Sequence, residues 1–87
     1  MEIIFLPNAE ADLNYWVSSG NKKLIKKITQ LIESININPY NGLGKPERLK
    51  YELSEIWSRR ISGEHRLVYE IINDKILIHS ARGHYTK

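Results

Sequence analysis

The chain has 87 residues, enough for one domain (1–87) with one modest core. It contains no cysteine, which excludes disulfides and thiolate zinc sites. Its formal net charge is +3, and its longest early apolar run, Ile3-Ile4-Phe5-Leu6, is too short for a signal or membrane helix, so a cytoplasmic protein without membrane association is expected.

The charge is unevenly distributed. Residues 1–42 carry four basic and four acidic side chains, whereas residues 43–87 carry nine basic against six acidic. That asymmetry favours an anionic partner, although many ordinary domains are equally basic.

Glu2 to Leu6 reads as a short buried strand ended by Pro7. Asn8 is then placed to cap a helix running to about Ser18, with Ala9, Leu13, Trp16 and Val17 at helical spacing. Ser19-Gly20-Asn21 breaks it. A second helix is predicted from about Lys22 to Ile35, because Leu24, Ile25, Ile28, Leu31, Ile32 and Ile35 form one apolar stripe. Lys22, Lys23, Lys26 and Lys27 fall off that stripe, as a solvated face does more often than a phosphate site.

Asn36 to Pro46 is predicted to be a loop, punctuated by Pro39, Gly42, Gly44 and Pro46. Gly42-Leu43-Gly44 lacks the further glycine and the lysine-serine ending of a phosphate loop, so the segment reads as a mobile connection. Beyond it the chain alternates. Leu49, Tyr51 and Leu53 would share one strand face, with Arg48, Lys50 and Glu52 on the other. Trp57 and Ile61 would point inward, and Ser58 and Arg60 outward. After a hairpin turn at Ser62-Gly63-Glu64, Leu67, Tyr69 and Ile71 would point inward, and Arg66, Val68 and Glu70 outward. Asn73-Asp74 makes another turn, and Lys75 to Ala81 the last strand. The expected class is α+β: an N-terminal strand, two helices, and a three- or four-stranded antiparallel meander whose apolar face the helices cover.

Lys50, Arg60 and Arg66 would then share the face opposite the helices. Like charges on neighbouring strands repel. A polyanion would justify the cluster. Pairing of the arginines with Glu52, Glu64 or Glu70 is the alternative. Glu47 precedes the first of these strands and is expected at the loop edge, ahead of regular pairing. His84 and Tyr85 follow the last strand. His65, His79 and His84 lack metal-ligand spacing with nearby carboxylates, so no metal or other cofactor is assigned.

Four ordered blocks carry a resemblance. They are Asn41-Gly42-x-Gly44-Lys45-Pro46-Glu47-x-Leu49-Lys50, Leu53-Ser54-x-x-Trp57-Ser58-Arg59-Arg60-Ile61, Glu64-His65-Arg66-Leu67-Val68-Tyr69 and Arg82-x-His84-Tyr85. Together with Tyr15-Trp16 and Lys26-Lys27-Ile28 they resemble the YoeB family of toxins, within the RelE/ParE superfamily. The resemblance implies a ribosome-dependent endoribonuclease that cleaves mRNA in the ribosomal A site. It also implies a YefM-like antitoxin partner and a homodimer. The family's catalytic glutamate falls on Glu47, its arginine on Arg66 and its histidine on His84, with supporting positions on Lys50, Arg60 and Tyr85. Thr86-Lys87 extend past the His-Tyr at which members commonly end.

These residue types suit metal-independent RNA cleavage. RNA carries its own nucleophile, the 2′-hydroxyl. A carboxylate can take its proton and an imidazole can protonate the departing 5′-oxygen, which assigns Glu47 as base and His84 as acid, although the residue types alone allow the reverse. Guanidinium groups stabilise charge on the phosphoryl oxygens, with Arg66 foremost and Lys50 and Arg60 assisting. Tyr85 would stack on a base or orient the phosphate. Two rival readings stand beside this one: a toxin of the same fold that inhibits DNA gyrase, and a non-catalytic RNA-binding translation regulator.

Overall fold

In the structure, a computed structural model describing residues 1–50 and 55–83, the N-terminal apolar run forms β1 (Glu2–Phe5) and Pro7 opens α1 (Pro7–Ser18). A proline suits the first helical position because its φ is pre-set and that amide needs no helical partner. Leu6 is therefore the N-cap, and Asn8 lies in the first turn instead of capping it. Ala9 and Trp16 are buried, but Val17, which the spacing grouped with them, is 59% exposed. With Trp16 facing the core, the next residue points about 100° further round the helix.

The Asn21 side chain accepts a hydrogen bond from the Leu24 amide at 3.2 Å and caps α2 (Lys22–Ile37). The expected stripe is the buried one: Ile28, Leu31 and Ile35 are fully enclosed, and Leu24, Ile25 and Ile32 pack partly buried beside them.

The second half folds as β2 (Glu47–Arg48), β3 (Ile56–Arg60), β4 (Arg66–Ile72) and β5 (Lys75–Ser80). These four strands are antiparallel neighbours, as the alternation predicts. β1 adds in parallel to β5, so the sheet has five strands in the order β1-β5-β4-β3-β2. A parallel pair needs a long crossover, and the chain between β1 and β5 carries both helices. Leu67, Tyr69, Ile76 and Ile78 on one face of the sheet meet the helical stripe and Trp16 in a single core.

Two expectations about the sheet are corrected. The strand read from Arg48 through Leu53 is regular only at Glu47–Arg48. Its last described ladder bond runs from the Leu49 amide to Ile56 O at 2.8 Å, Lys50 lies in a turn, and Tyr51, Glu52 and Leu53 fall outside the described residues. The face read as outward is also closed along its centre, where Ile56, Ser58, Val68 and Glu70 are all buried. Alternation assigns a side chain to a face of the sheet; it does not say whether that face is covered. Among the described residues no helix is long and apolar enough to cross a membrane.

Leu31 is fully buried between α2 and the sheet. Leu31→Ala is expected to lower unfolding free energy by about 2–5 kcal/mol. Urea unfolding measures this, and a loss below about 1 kcal/mol would show that the helix layer is not packed as described.

Candidate active site

Trp57, Arg59 and Ile61 share the helix-facing side of β3 by simple alternation. Arg59 is wholly buried there, and each of its five N–H groups has an acceptor. Nε donates to the Tyr69 hydroxyl at 3.1 Å. Nη1 donates to Ser34 Oγ at 2.7 Å and to Leu43 O at 3.1 Å. Nη2 donates to Asn38 O at 2.6 Å and to Asn41 O at 3.1 Å. No carboxylate among the described residues takes part. The charge is solvated instead by hydroxyl and peptide dipoles, which a buried cation requires. The Tyr69 hydroxyl donates in turn to Pro39 O at 2.6 Å. Burial pushes this hydroxyl above its ordinary value of 10.0, outweighing the lowering by the Arg59 hydrogen bond and charge, so it keeps the proton it donates.

The segment from Asn38 to Gly44, read from sequence as a mobile connection, is therefore tied to β3 and β4. Gly44 completes the attachment. Its carbonyl accepts from the Arg60 amide at 2.6 Å, its φ is +86°, and a Cβ there would stand 2.6 Å from Leu31 Cδ2. Only glycine fits a left-handed backbone pressed this closely against a side chain. The chain then enters β2 three residues later, at Glu47.

The register brings the charged groups together. Glu47 lies opposite Ser58, Ser58 opposite Val68, and Arg60 opposite Arg66. Glu47 thus sits inside regular pairing, on the same face as both arginines, and not at a loop edge ahead of it. Arg66 Nη1 donates to Ser58 Oγ at 3.2 Å, which lays its guanidinium over β3, beside the strand that carries Glu47. Arg60 and Glu47 are exposed and Arg66 half-buried. Among the described residues Arg48 pairs with Glu55 at 3.9 Å, and Glu70 Oε1 lies at hydrogen-bond distance, 2.7 Å, from His79 Nε2, so neither Arg60 nor Arg66 is neutralised by Glu64 or Glu70. Glu52 is outside the described residues. Lys50, expected on this face, is exposed in the turn after Leu49.

The chain after β5 returns to the same end of the sheet. The Ala81 amide donates to Asp12 Oδ2 at 2.9 Å, and Trp16 Nε1 donates to Ala81 O at 2.9 Å. The Arg82 guanidinium lies 3.6 Å above the Tyr15 ring. Gly83 O accepts from the Arg66 amide at 3.0 Å, and the Gly83 amide donates to His65 Nδ1 at 2.8 Å. His84 and Tyr85 fall outside the described residues; the residue before His84 is bonded to the main chain of Arg66. Among the described residues no three His, Asp or Glu side chains are grouped to hold a metal ion. The sequence reading missed Arg59, which its own alternation pointed inward, and His65, for which no local pattern gave a signal.

This sheet, helix pair and charged face define a small α+β toxin fold. The chain belongs to the family described as YoeB-like toxin of bacterial type II toxin–antitoxin systems, whose family model matches residues 5–85. It is 45% identical over 85 residues to the toxin YoeB of Escherichia coli K12, covering 98% of this chain and all of that one. It superposes on a YoeB dimer structure from Staphylococcus aureus with a TM-score of 0.89 at 44% identity, covering 98% of each chain. A heterotetrameric YoeB–YefM toxin–antitoxin complex from Staphylococcus aureus matches with a TM-score of 0.85 at 44% identity, again over 98% of each chain.

Arg59→Lys keeps the charge but offers at most three donors and no planar fork. It is expected to cost about 2–4 kcal/mol, from acceptors left buried without a partner. Urea unfolding should show the loss, and amide exchange from residue 38 to residue 44 should accelerate. Unchanged stability would contradict the role given to Arg59. A second expectation concerns alkali. The Tyr69 value is raised on folding, so its stabilisation is complete below pH 10 and is lost as pH rises through the raised value. Tyr69→Phe should remove that alkaline limb from a plot of stability against pH, and an unaltered limb would assign it to other groups.

Proposed function

We propose that this protein is a ribosome-dependent endoribonuclease that cleaves mRNA in the A site and so inhibits translation in the cytoplasm. The observation that carries the reading is the cross-strand register: Glu47 opposite Ser58, Ser58 bonded to Arg66, and Arg60 opposite Arg66. One carboxylate and two guanidiniums without an acidic partner among the described residues then share a face that could meet RNA. A protein that only bound RNA would gain nothing from a carboxylate among its cations, since like charge repels phosphate.

In this mechanism Glu47 takes the proton of the 2′-hydroxyl as its oxygen attacks the adjacent phosphorus. The O2′–P bond forms and the P–O5′ bond breaks. His84 gives the departing 5′-oxygen its proton. The product is a 2′,3′-cyclic phosphate or the 3′-phosphate from its opening. Arg66, with Lys50 and Arg60 assisting, stabilises charge that grows on the non-bridging oxygens. Ser58 is added to the set: by accepting from Arg66 it fixes the guanidinium before substrate arrives, so less reorganisation is left to the reaction. Tyr85 orients the base or phosphate. No resident metal has a role in these steps.

The proposed partners follow from the same face and from the family. An antitoxin resembling YefM, with an acidic and partly disordered segment, would cover the cationic surface, because such segments fold on binding and wrap large areas. The toxin would assemble as a homodimer.

The test is induction without antitoxin in growing bacteria, with primer extension on translated mRNAs. Cuts should appear within translated codons. In single-turnover cleavage Glu47→Ala, Arg66→Ala and His84→Ala should each lose at least about 100-fold. Wild-type cleavage by Glu47→Ala would reject the acid–base reading in favour of simple binding.

A further inference from the structure

His65 has no part in the chemistry above, yet its ring is held from two sides. It is half-buried at the start of β4, next to Arg66. Its ring packs edge-on against Trp16, with centroids 4.7 Å apart and planes at 76°. The main-chain carbonyl of His65 accepts from the Ile61 amide at 2.9 Å, closing the β3–β4 hairpin. Its Nδ1 accepts from the Gly83 amide at 2.8 Å.

We infer that His65 is a positioning residue for His84, a role that rests on the assignment of His84 to the reaction. A backbone amide can only donate, so Nδ1 must be the unprotonated ring nitrogen, and the neutral ring carries its hydrogen on Nε2. The acceptor therefore has one tautomer, and Trp16 fixes the plane in which it lies. Gly83 is gripped on both sides: its amide by the His65 ring and its carbonyl by the Arg66 amide. Trp16 holds Ala81 through Nε1 while packing against the His65 ring, so one indole braces both ends of the three-residue segment. Gly83, the residue that precedes His84 in sequence, has φ +78°, a left-handed turn that the two bonds stabilise. Acid catalysis demands a proton donor aligned to within a fraction of an ångström, so loosening this turn costs rate while leaving the RNA-binding face intact.

The acceptor can be moved or deleted by substitution. His65→Phe keeps the ring against Trp16 and removes the acceptor. His65→Asn places an oxygen at the position of Nδ1, and His65→Gln places it one carbon too far out. In the full-length protein acting on programmed ribosomes, His65→Phe and His65→Gln should lose about 10- to 100-fold in single-turnover cleavage, with half-saturating ribosome concentration within about 2-fold of wild type. His65→Asn should recover most of the rate. Gly83 amide exchange should accelerate in Phe and Gln variants and return toward wild type in Asn, a readout independent of cleavage. Long-range proton–nitrogen spectra of the wild-type ring should show Nδ1 without a proton. Adding His65→Phe to His84→Ala should cause no further loss, since the two act through one group.

Wild-type cleavage by His65→Phe and His65→Gln, alongside an inactive His84→Ala, would overturn the positioning role and leave the nuclease reading standing. Fully additive losses in the double variant, or Gly83 exchange unchanged in all three variants, would also overturn it. Full activity of His84→Ala would instead reject the assignment of His84 itself, and the positioning role with it.

Discussion

A buried guanidinium organises this molecule. Arg59 lies in the core between α2 and the sheet, and its five donors reach three stretches of chain that are distant in sequence: Ser34 at the end of α2, the carbonyls of Asn38, Asn41 and Leu43, and Tyr69 on β4. Removing a charge from water is tolerable only when every donor is met, and here neutral dipoles meet all five. Satisfying the charge therefore fixes the loop. Each carbonyl has one place from which it can reach the fork, and the same loop leads through Gly44 into β2. The position of Glu47 on the opposite face of the sheet is thus set from within the core. An apolar residue at position 59 would fill the space, but it would leave the loop carbonyls no reason to converge.

The exposed face follows a different rule. Arg60 and Arg66 are direct cross-strand partners, an arrangement that costs stability through like-charge repulsion. Arg66 is steadied by the Ser58 hydroxyl, with no acid paired to it among the described residues. The two arginines of β3 are adjacent in sequence and opposite in effect. Arg59, turned inward, is saturated and structural. Arg60, turned outward, has no acidic partner among the described residues. The strand's period of two divides one pair of identical residues between the two jobs.

Much of this was legible in the chain. The apolar stripe of α2, the antiparallel meander and the inward set Leu67, Tyr69 and Ile71 all express simple periodicities. The family resemblance proposed Glu47, Arg66 and His84 as site residues, and the register places Glu47 and Arg66 on one face of the sheet. What periodicity could not supply was long-range. The parallel addition of β1 to β5 depends on a crossover through both helices. The burial of Ser58, Val68 and Glu70 depends on what covers a face, and a strand pattern is silent about that. The loop from residue 38 to residue 44 carries every mark of a flexible connection, with its glycines and asparagines. It is fixed because its carbonyls meet a cation 16 to 21 residues away. His65 likewise gains its contact with Gly83 only when the segment from Ala81 to Gly83 folds back along α1.

Under the proposed function, the face carrying Glu47, Arg60 and Arg66 is a catalytic surface for RNA, with the nucleophile supplied by the substrate. The most direct measurement is single-turnover cleavage, on the ribosome, of an mRNA bearing one 2′-deoxy sugar immediately 5′ of the scissile phosphate. The account predicts that the phosphodiester stays intact while the all-ribose control is cut at that position. Cleavage of the deoxy-substituted message at the same bond and rate would contradict it, because the attacking oxygen would then have to come from elsewhere.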